Sequence, residues 1–268
     1  MPERNKIYFA SDFHLGVSNY ELSRQREATI VRWLDSIKDD AAELFLVGDV
    51  FDFWFEYKRA VPRGFIRFLG KLAELSDLGV KIKMFKGNHD MWMFGYLTKE
   101  FKAEIISDEM MIERQGKKLY LHHGDGLGPG DGKYKFLKKF FRSDFCQWMF
   151  ARLHPNLGIG IALAWSQRSR LSQKKIERFM GEQQEWLVSY SKEVLAKEHF
   201  DYLIFGHRHL PLDIKLKGGS RYINLGEWLN FNSYAVMKEG ELQLKYFENE
   251  KGADYAVQNL TMIKGDIS

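Results

Sequence analysis

Five apolar runs in this chain each stop at a cluster of Asp, Asn or His. Ile7-Tyr8-Phe9-Ala10-Ser11 leads into Asp12-Phe13-His14, and Leu44-Phe45-Leu46-Val47 leads into Gly48-Asp49-Val50-Phe51-Asp52. Val80-Lys81-Ile82-Lys83-Met84-Phe85 runs into Gly87-Asn88-His89-Asp90, and Leu119-Tyr120-Leu121 into His122-His123-Gly124-Asp125. Tyr202-Leu203-Ile204-Phe205 ends at Gly206-His207-Arg208-His209. Short apolar runs bounded by turn residues read as buried strands. Ligands of open α/β sheets gather outside the carboxyl ends of such strands. A lone Gly-Asp or Asp-x-His is commonly a turn, and Asp90 reads equally well as a helix N-cap. Repetition at five tips requires a fold that brings the tips together.

The residue types at those tips suit metal ions. Carboxylate and amide oxygens mixed with imidazoles, without thiolates, fit two adjacent borderline divalent ions such as Mn or Fe. Two cations roughly 3.5–4 Å apart can clamp the attacking and leaving oxygens of a phosphoryl displacement. Cations that close need a carboxylate between them, and Asp49 is the candidate. Asp52 and Asp125 read either as orienting partners of ligand histidines or as turn caps. His122 reads as a packing neighbour of His123, while His154 and His199 have no partner pattern.

Between the tips, apolar residues at helical spacing predict helices over 21–37, 64–75 and 91–101, separated by an aromatic loop at 50–55. This strand–helix alternation implies βαβ units. From residue 105 shorter strands follow, and the glycine-rich run 124–132 marks a boundary. Beyond it, Phe136, Leu137, Phe140, Phe141, Phe145, Trp148 and Met149 recur at three- and four-residue spacing, with Lys135, Lys138, Lys139 and Arg142 mostly off that stripe. Residues 172–197 predict another long helix, and strands resume at 202. The expected domains are therefore a core of 1–126 with 201–268, and a helical insertion of 127–200.

Charge separates the same segments. Residues 127–178 carry 11 Lys/Arg against 3 Asp/Glu, whereas the whole chain has a net charge of only +4. Such a basic segment meets phosphate, nucleic acid or an acidic membrane surface, unless it is simply a solvated face. Its single cysteine, Cys146, excludes an intramolecular disulfide and a Cys-based zinc site, which fits a reducing compartment. The first residues predict no secretory signal, and the weakly polar stretch 157–165 is too short to span a bilayer. A cytoplasmic protein is expected, with peripheral contact at the membrane surface.

The series Asp12-x-His14, Gly48-Asp49-x-x-Asp52, Gly87-Asn88-His89-Asp90, His123-Gly124-Asp125 and Gly206-His207-x-His209 resembles the calcineurin-like metallophosphoesterase superfamily. The resemblance spans residues 7–247. It implies an α+β (α/β) four-layer αββα sandwich with a helical lid insertion. It also implies one metal held by Asp12, His14, Asp49 and His209 and a second by Asp49, Asn88, His123 and His207. Two divalent ions are expected, Mn²⁺ first, with Fe or Zn as alternatives. Within the superfamily, Gly48-Asp49-Val50-Phe51-Asp52-Phe53-Trp54, Leu225-Gly226-Glu227-Trp228 and the insertion are similar to the UDP-2,3-diacylglucosamine hydrolases of lipid A synthesis.

That branch implies a lipid-linked nucleotide substrate whose pyrophosphate is cleaved to UMP and 2,3-diacylglucosamine 1-phosphate on the cytoplasmic face of the inner membrane. Asn88 and His89 are the expected catalytic residues. Arg168, Ser169, Arg170, Lys174 and Lys175 are candidates for holding the substrate's phosphates and sugar. The best-known members of the branch have Arg where this chain has His89, which matches the wider superfamily instead. A nuclease or nucleotide phosphodiesterase is the alternative, although the aromatic insertion is unlike the exposed cationic track of a nucleic-acid groove. A non-catalytic scaffold fits poorly with all seven ligand positions kept. Oligomeric state is not legible in the sequence.

Overall fold

Which way alternate side chains point decides the layering of this protein. A computed structural model describes residues 4–249 except 18, 129–131, 173–178 and 180, with backbone alone at 133, 167 and 169–172. In the first strand, β1 (Lys6–Ala10), Tyr8 and Ala10 pack against helices while Ile7 and Phe9 face a second sheet. The next strand, β2 (Ala41–Leu46), divides the same way, with Leu44 and Leu46 on one side and Phe45 on the other. Strands buried on both faces carry apolar residues at every position, which is why these runs do not alternate in polarity.

Chain order places helix α1 (Tyr20–Ile37) after β1, and α2 (Ile66–Asp77), β3 (Lys81–Phe85), α3 (Tyr96–Phe101) and β4 (Glu104–Ile106) after β2. Strands β5 (Met110–Arg114) and β6 (Lys117–His122) precede the helices α4 (Gly132–Phe141), α5 (Asp144–Phe150), α6 (Pro155–Ser172) and α7 (Trp186–Leu195). Then come β7 (Tyr202–Phe205), β8 (Pro211–Lys215), β9 (Arg221–Leu225), β10 (Ser233–Lys238) and β11 (Glu241–Tyr246). One sheet has the order β11-β10-β1-β2-β3-β4, and the other β5-β6-β7-β9-β8. The pairs β1–β2, β2–β3, β3–β4, β6–β7 and β7–β9 are parallel, so their carboxyl ends lie side by side. Helices α1 and α2 cover the outer face of the first sheet through Ile30, Trp33, Phe68 and Leu72. Leu187 and Val188 of α7 cover the outer face of the second, against Leu203, Phe205 and Tyr222. The result is the expected αββα sandwich.

Three expected elements differ. The helix expected over 91–101 begins only at Tyr96. Trp92 bridges to Phe55 in extended form, and the Glu56 carboxylate accepts N–H bonds from Phe94, Gly95 and Tyr96 at 2.6, 2.6 and 2.9 Å. A carboxylate from elsewhere in the chain thus caps the helix at its start. The aromatic stripe belongs to two helices, because the Ser143 hydroxyl accepts from the Cys146 N–H and starts α5 afresh. The long helix expected over 172–197 is α7 alone in its described part. Gly181 lies at φ +95° ahead of a turn, and Glu185 is held out by Arg208 at 2.8 and 3.1 Å.

The expected insertion therefore divides. Helix α7 packs on the second sheet, whereas α4–α6 sit on the aromatic loop. There Phe53, Phe55, Met91 and Trp92 pack with Cys146 and the partly buried Phe141 and Phe150. Burial of each such large side chain is worth about 1.5–3 kcal/mol, so apolar contact seats this segment. Among the described residues no helix is long and apolar enough to cross a membrane.

Candidate functional site

The backbone at the strand tips adopts conformations that ordinary residues avoid. Asp12, His14, Asp49, His207 and His209 all have positive φ, at 55°, 44°, 51°, 66° and 53°. Each such residue costs on the order of 1–3 kcal/mol unless its surroundings hold it. Here the tips hold one another. Asp12 N–H donates to Gly48 O at 3.1 Å, His14 N–H to Asp49 O at 3.0 Å, and Trp228 N–H to Asp12 O at 3.2 Å. Gly206 N–H reaches His123 O at 2.9 Å, tying the tips of the adjacent strands β6 and β7. Close approach also demands glycine, since a Cβ on Gly87 would stand 2.1 Å from Asp49 Oδ1.

These tips bring together all seven residues expected to hold metal. Asp12, His14 and His209 offer ligand atoms within 4.8 Å of one another, as do Asp49, His123 and His207. Asp49 Oδ2 lies between the groups, 3.9 Å from His14 Nε2 and 3.4 Å from His123 Nε2. Asn88 Oδ1 is 3.3 Å from His123 Nε2. His14 Nε2 and His209 Nε2 face each other at 3.1 Å, and Asp12 Oδ1 stands 3.2 Å from His209 Nε2. That Asp12 oxygen is buried without a hydrogen bond. A buried carboxylate oxygen left so, beside imidazole nitrogens converging on one point, fits a divalent cation. Asp12, His14, Asp49 and His123 form a buried floor, while Asn88, His89, His207 and His209 form a partly open rim.

Charge follows the same plan. Burial alone would raise the Asp12 carboxyl, but the His14 and His209 rings hold it well below the usual carboxylate range. Asp49 is likewise lowered against burial, by His123, His89 and His14. Burial disfavours a charged His123, yet Asp49 drives it up to about 10. His207 is pushed down to about 4 by burial and by His123. Two carboxylates anchor the cluster as anions, which is what cation binding needs.

Several neighbours acquire definite contacts. Asp90 does not cap a helix. Its carboxylate accepts N–H bonds from Gly87 and Val50, both at 2.8 Å, Phe51 at 3.2 Å and Asp49 at 3.3 Å, joining two tips. Asp52 Oδ1 lies 3.7 Å from His14 Nδ1 and 3.5 Å from His89 Nδ1, beside the histidines rather than in a turn cap. Asp125 is buried and accepts from Tyr134 Oη at 2.8 Å, with Lys138 Nζ also 2.8 Å away. His123 Nδ1 is fixed on Val47 O at 2.8 Å, whereas His122 accepts from Gly124 N–H at 2.7 Å and packs within β6. His154 and His199 lie apart from the cluster.

The rim opens into a cavity of about 580 Å³ under α4–α6. Asp52, Asn88 and His89 are among its polar lining residues, and Leu137, Phe141 and Trp165 among the apolar ones. Of the expected phosphate contacts, Arg168 is exposed on α6. Ser169 and Arg170 continue its backbone, and Lys174 and Lys175 fall outside the described residues. Sequence reasoning passed over Ser166 and Tyr134. Ser166 is buried and donates to Asp52 Oδ2 at 2.9 Å. A serine inside a helix gives no local signal of such a contact.

Residues 5–211 match the calcineurin-like phosphoesterase family. The chain is 39% identical over 259 residues to a Porphyromonas gingivalis protein named UDP-2,3-diacylglucosamine hydrolase, covering 92% of this chain and 99% of that one. It is 28% identical to an Aeromonas salmonicida protein of the same name, covering 88% and 91%. A Shewanella putrefaciens protein of that name is 26% identical, over 83% of this chain and 89% of the other.

Proposed function

The chain belongs to the calcineurin-like phosphoesterase family, and from that membership we propose that it hydrolyses UDP-2,3-diacylglucosamine to UMP and 2,3-diacylglucosamine 1-phosphate in lipid A biosynthesis. The observation that carries this reading is the junction of two chemistries. A polar ligand nest opens directly into an apolar cavity of about 580 Å³. A substrate with a pyrophosphate at one end and acyl chains at the other needs that junction, whereas a nucleic-acid backbone has no use for the apolar half. The relatives named for this activity support the same substrate.

Asp12, His14, Asp49 and His209 would hold one divalent ion, and Asp49, Asn88, His123 and His207 the other, with Mn²⁺ as our choice for the native metal. When bound, two such ions supply charge for the phosphoryl oxygens and lower the pKa of water. The side chains of the protein do the rest. Asp49, which belongs to both ligand sets, would screen the mutual repulsion of the cations. Asn88 and His89, at the open rim, meet the phosphoryl group, and His89 gives a proton to the departing oxygen. Helices α4–α6 form the lid over the acyl chains and exclude water from the junction. Arg168, Ser169, Arg170, Lys174 and Lys175 are the residues we assign to the substrate's distal phosphate and sugar, since cationic side chains pair well with phosphate.

The protein works at the cytoplasmic membrane surface as a peripheral protein, since its substrate is a lipid and the lid carries exposed Phe136, Phe145, Trp148 and Leu157. The test compares two substrates with Mn²⁺-loaded protein. Release of UMP from UDP-2,3-diacylglucosamine should far outpace cleavage of bis(p-nitrophenyl) phosphate, and chelation should abolish both until Mn²⁺ is restored. Inactivity on the lipid with brisk cleavage of oligonucleotides would overturn the reading in favour of a nuclease.

A further inference from the structure

One side chain of the lid enters the polar half of the site. Ser166 lies in α6, is 5% exposed, and donates its hydroxyl proton to Asp52 Oδ2 at 2.9 Å. Its oxygen is then 3.3 Å from His89 Nδ1. The other neighbours of that nitrogen are also acceptors, Asp52 O at 3.1 Å and Asp52 Oδ1 at 3.5 Å. Because the hydroxyl proton is committed to the carboxylate, only lone pairs of Ser166 face the ring. Three oxygens around one nitrogen require that nitrogen to carry a proton.

We propose that Ser166 is a positioning residue, which completes the site by fixing the His89 ring with Nδ1–H held by Asp52 and Ser166, so that the proton the ring delivers sits on Nε2, toward the substrate, when α6 is seated on the core. The inference rests on the role given above to His89, but its geometry does not depend on the identity of the substrate. Asp52 is the shared element, lying 3.7 Å from His14 Nδ1 as well. A single hydroxyl on the lid therefore orders a carboxylate that touches two histidines of the site. Apolar packing alone can seat α6, through Ala162 and Leu163 against the aromatic loop. Such packing sets no direction for an imidazole, whereas a hydrogen bond does. Lid closure and the readiness of His89 become one event, so that the proton donor is aligned only after the cavity has been covered.

The test uses the full chain with Ser166→Ala and Ser166→Thr, the latter keeping the hydroxyl. Misplacement of a reacting group by about an ångström costs on the order of a hundredfold. We expect Ser166→Ala to lower kcat by tenfold to a hundredfold, to leave KM near the wild-type value, and to keep both Mn²⁺ ions by metal analysis. Ser166→Thr should recover most of the loss. In a His89→Ala background, Ser166→Ala should have no further effect, since Ser166 acts through that ring. A readout free of turnover is the long-range ¹H–¹⁵N spectrum of histidine-labelled protein. It should show the wild-type His89 Nδ1 as a protonated nitrogen in one environment, and the Ser166→Ala Nδ1 averaged between protonated and bare. A raised KM with unchanged kcat would overturn the proposal by making Ser166 a plain substrate contact. So would an unaltered His89 spectrum, or an equal loss with and without His89. If wild-type protein leaves the lipid intact while the His89 spectrum responds as expected, the substrate assignment fails and the positioning role stands.

Discussion

At Gly87 the chain passes so close to Asp49 that a single methyl group decides the site. A Cβ there would stand 2.1 Å from Asp49 Oδ1 and 2.4 Å from Asp49 N. Asp49 Oδ1 also accepts the His89 N–H at 2.9 Å, so the carboxylate cannot turn aside without releasing the tip after β3. Gly87→Ala should therefore leave a folded protein with fewer than two bound ions, read by metal analysis on Mn²⁺-loaded protein. Two tightly held ions with normal turnover would mean that the tip has slack. His89→Ala should behave oppositely, keeping both ions while turnover falls by about two orders of magnitude or more, the usual worth of a proton donor. Unchanged turnover would remove His89 from the chemistry. The residues now brought together were legible in the sequence because each follows an apolar run, and strand ends are where a sheet presents side chains. Ser166 was not, because a serine within a helix carries no local mark of what faces it. Its meaning comes from Asp52, which lies 114 positions away.

Elements were legible where local pattern fixes them and obscure where a remote side chain does. The core strands and α1 follow from apolar period and length. The start of α3 depends on Glu56, and the break between α4 and α5 on Ser143. Asp90 illustrates the same limit at the site. Its neighbourhood suggested a helix cap, but its carboxylate joins the tip after β2 to the tip after β3 by accepting four backbone N–H groups. Burial and the nearby Asp49 charge raise its carboxyl to about 7, against the opposing pull of the Gly87 and Phe51 N–H groups. Asp90→Asn keeps the shape but puts an N–H₂ against those donors. A hydrogen bond is worth about 0.5–1.5 kcal/mol net, and each buried donor left without a partner costs about 1–3 kcal/mol. A loss of about 3 kcal/mol in urea unfolding is expected, together with weaker metal retention. Stability within about 0.5 kcal/mol of wild type would show that the tips are held by other contacts.

At the scale of the whole molecule, the sandwich was legible in the sequence but the placing of its outer helices was not. Helix α7 reads like its predecessors in sequence, and only the apolar outer face of β6, β7 and β9 claims it for the core. What remains above the aromatic loop is a three-helix lid with two apolar sides. The inner side lines the cavity, whereas the outer side leaves Phe136, Phe145 and Trp148 at 74, 63 and 55% exposure. Arg152 stacks over Trp148 at 4.3 Å, a cation with an aromatic ring of the kind that settles at a lipid–water interface. Basic residues of the same segment would add attraction to anionic headgroups. A lid lying on the bilayer would receive the acyl chains without exposing them to water. Phe145→Ser with Trp148→Ser should leave turnover of detergent-dispersed substrate at the wild-type rate, because neither side chain lines the cavity. Co-sedimentation of the full chain with vesicles of phosphatidylethanolamine and phosphatidylglycerol should fall by at least about tenfold, since burial of one such ring is worth about 1.5–3 kcal/mol. Equal sedimentation of variant and wild type would mean that another face meets the membrane, and the outer aromatic surface of the lid would then need a different partner.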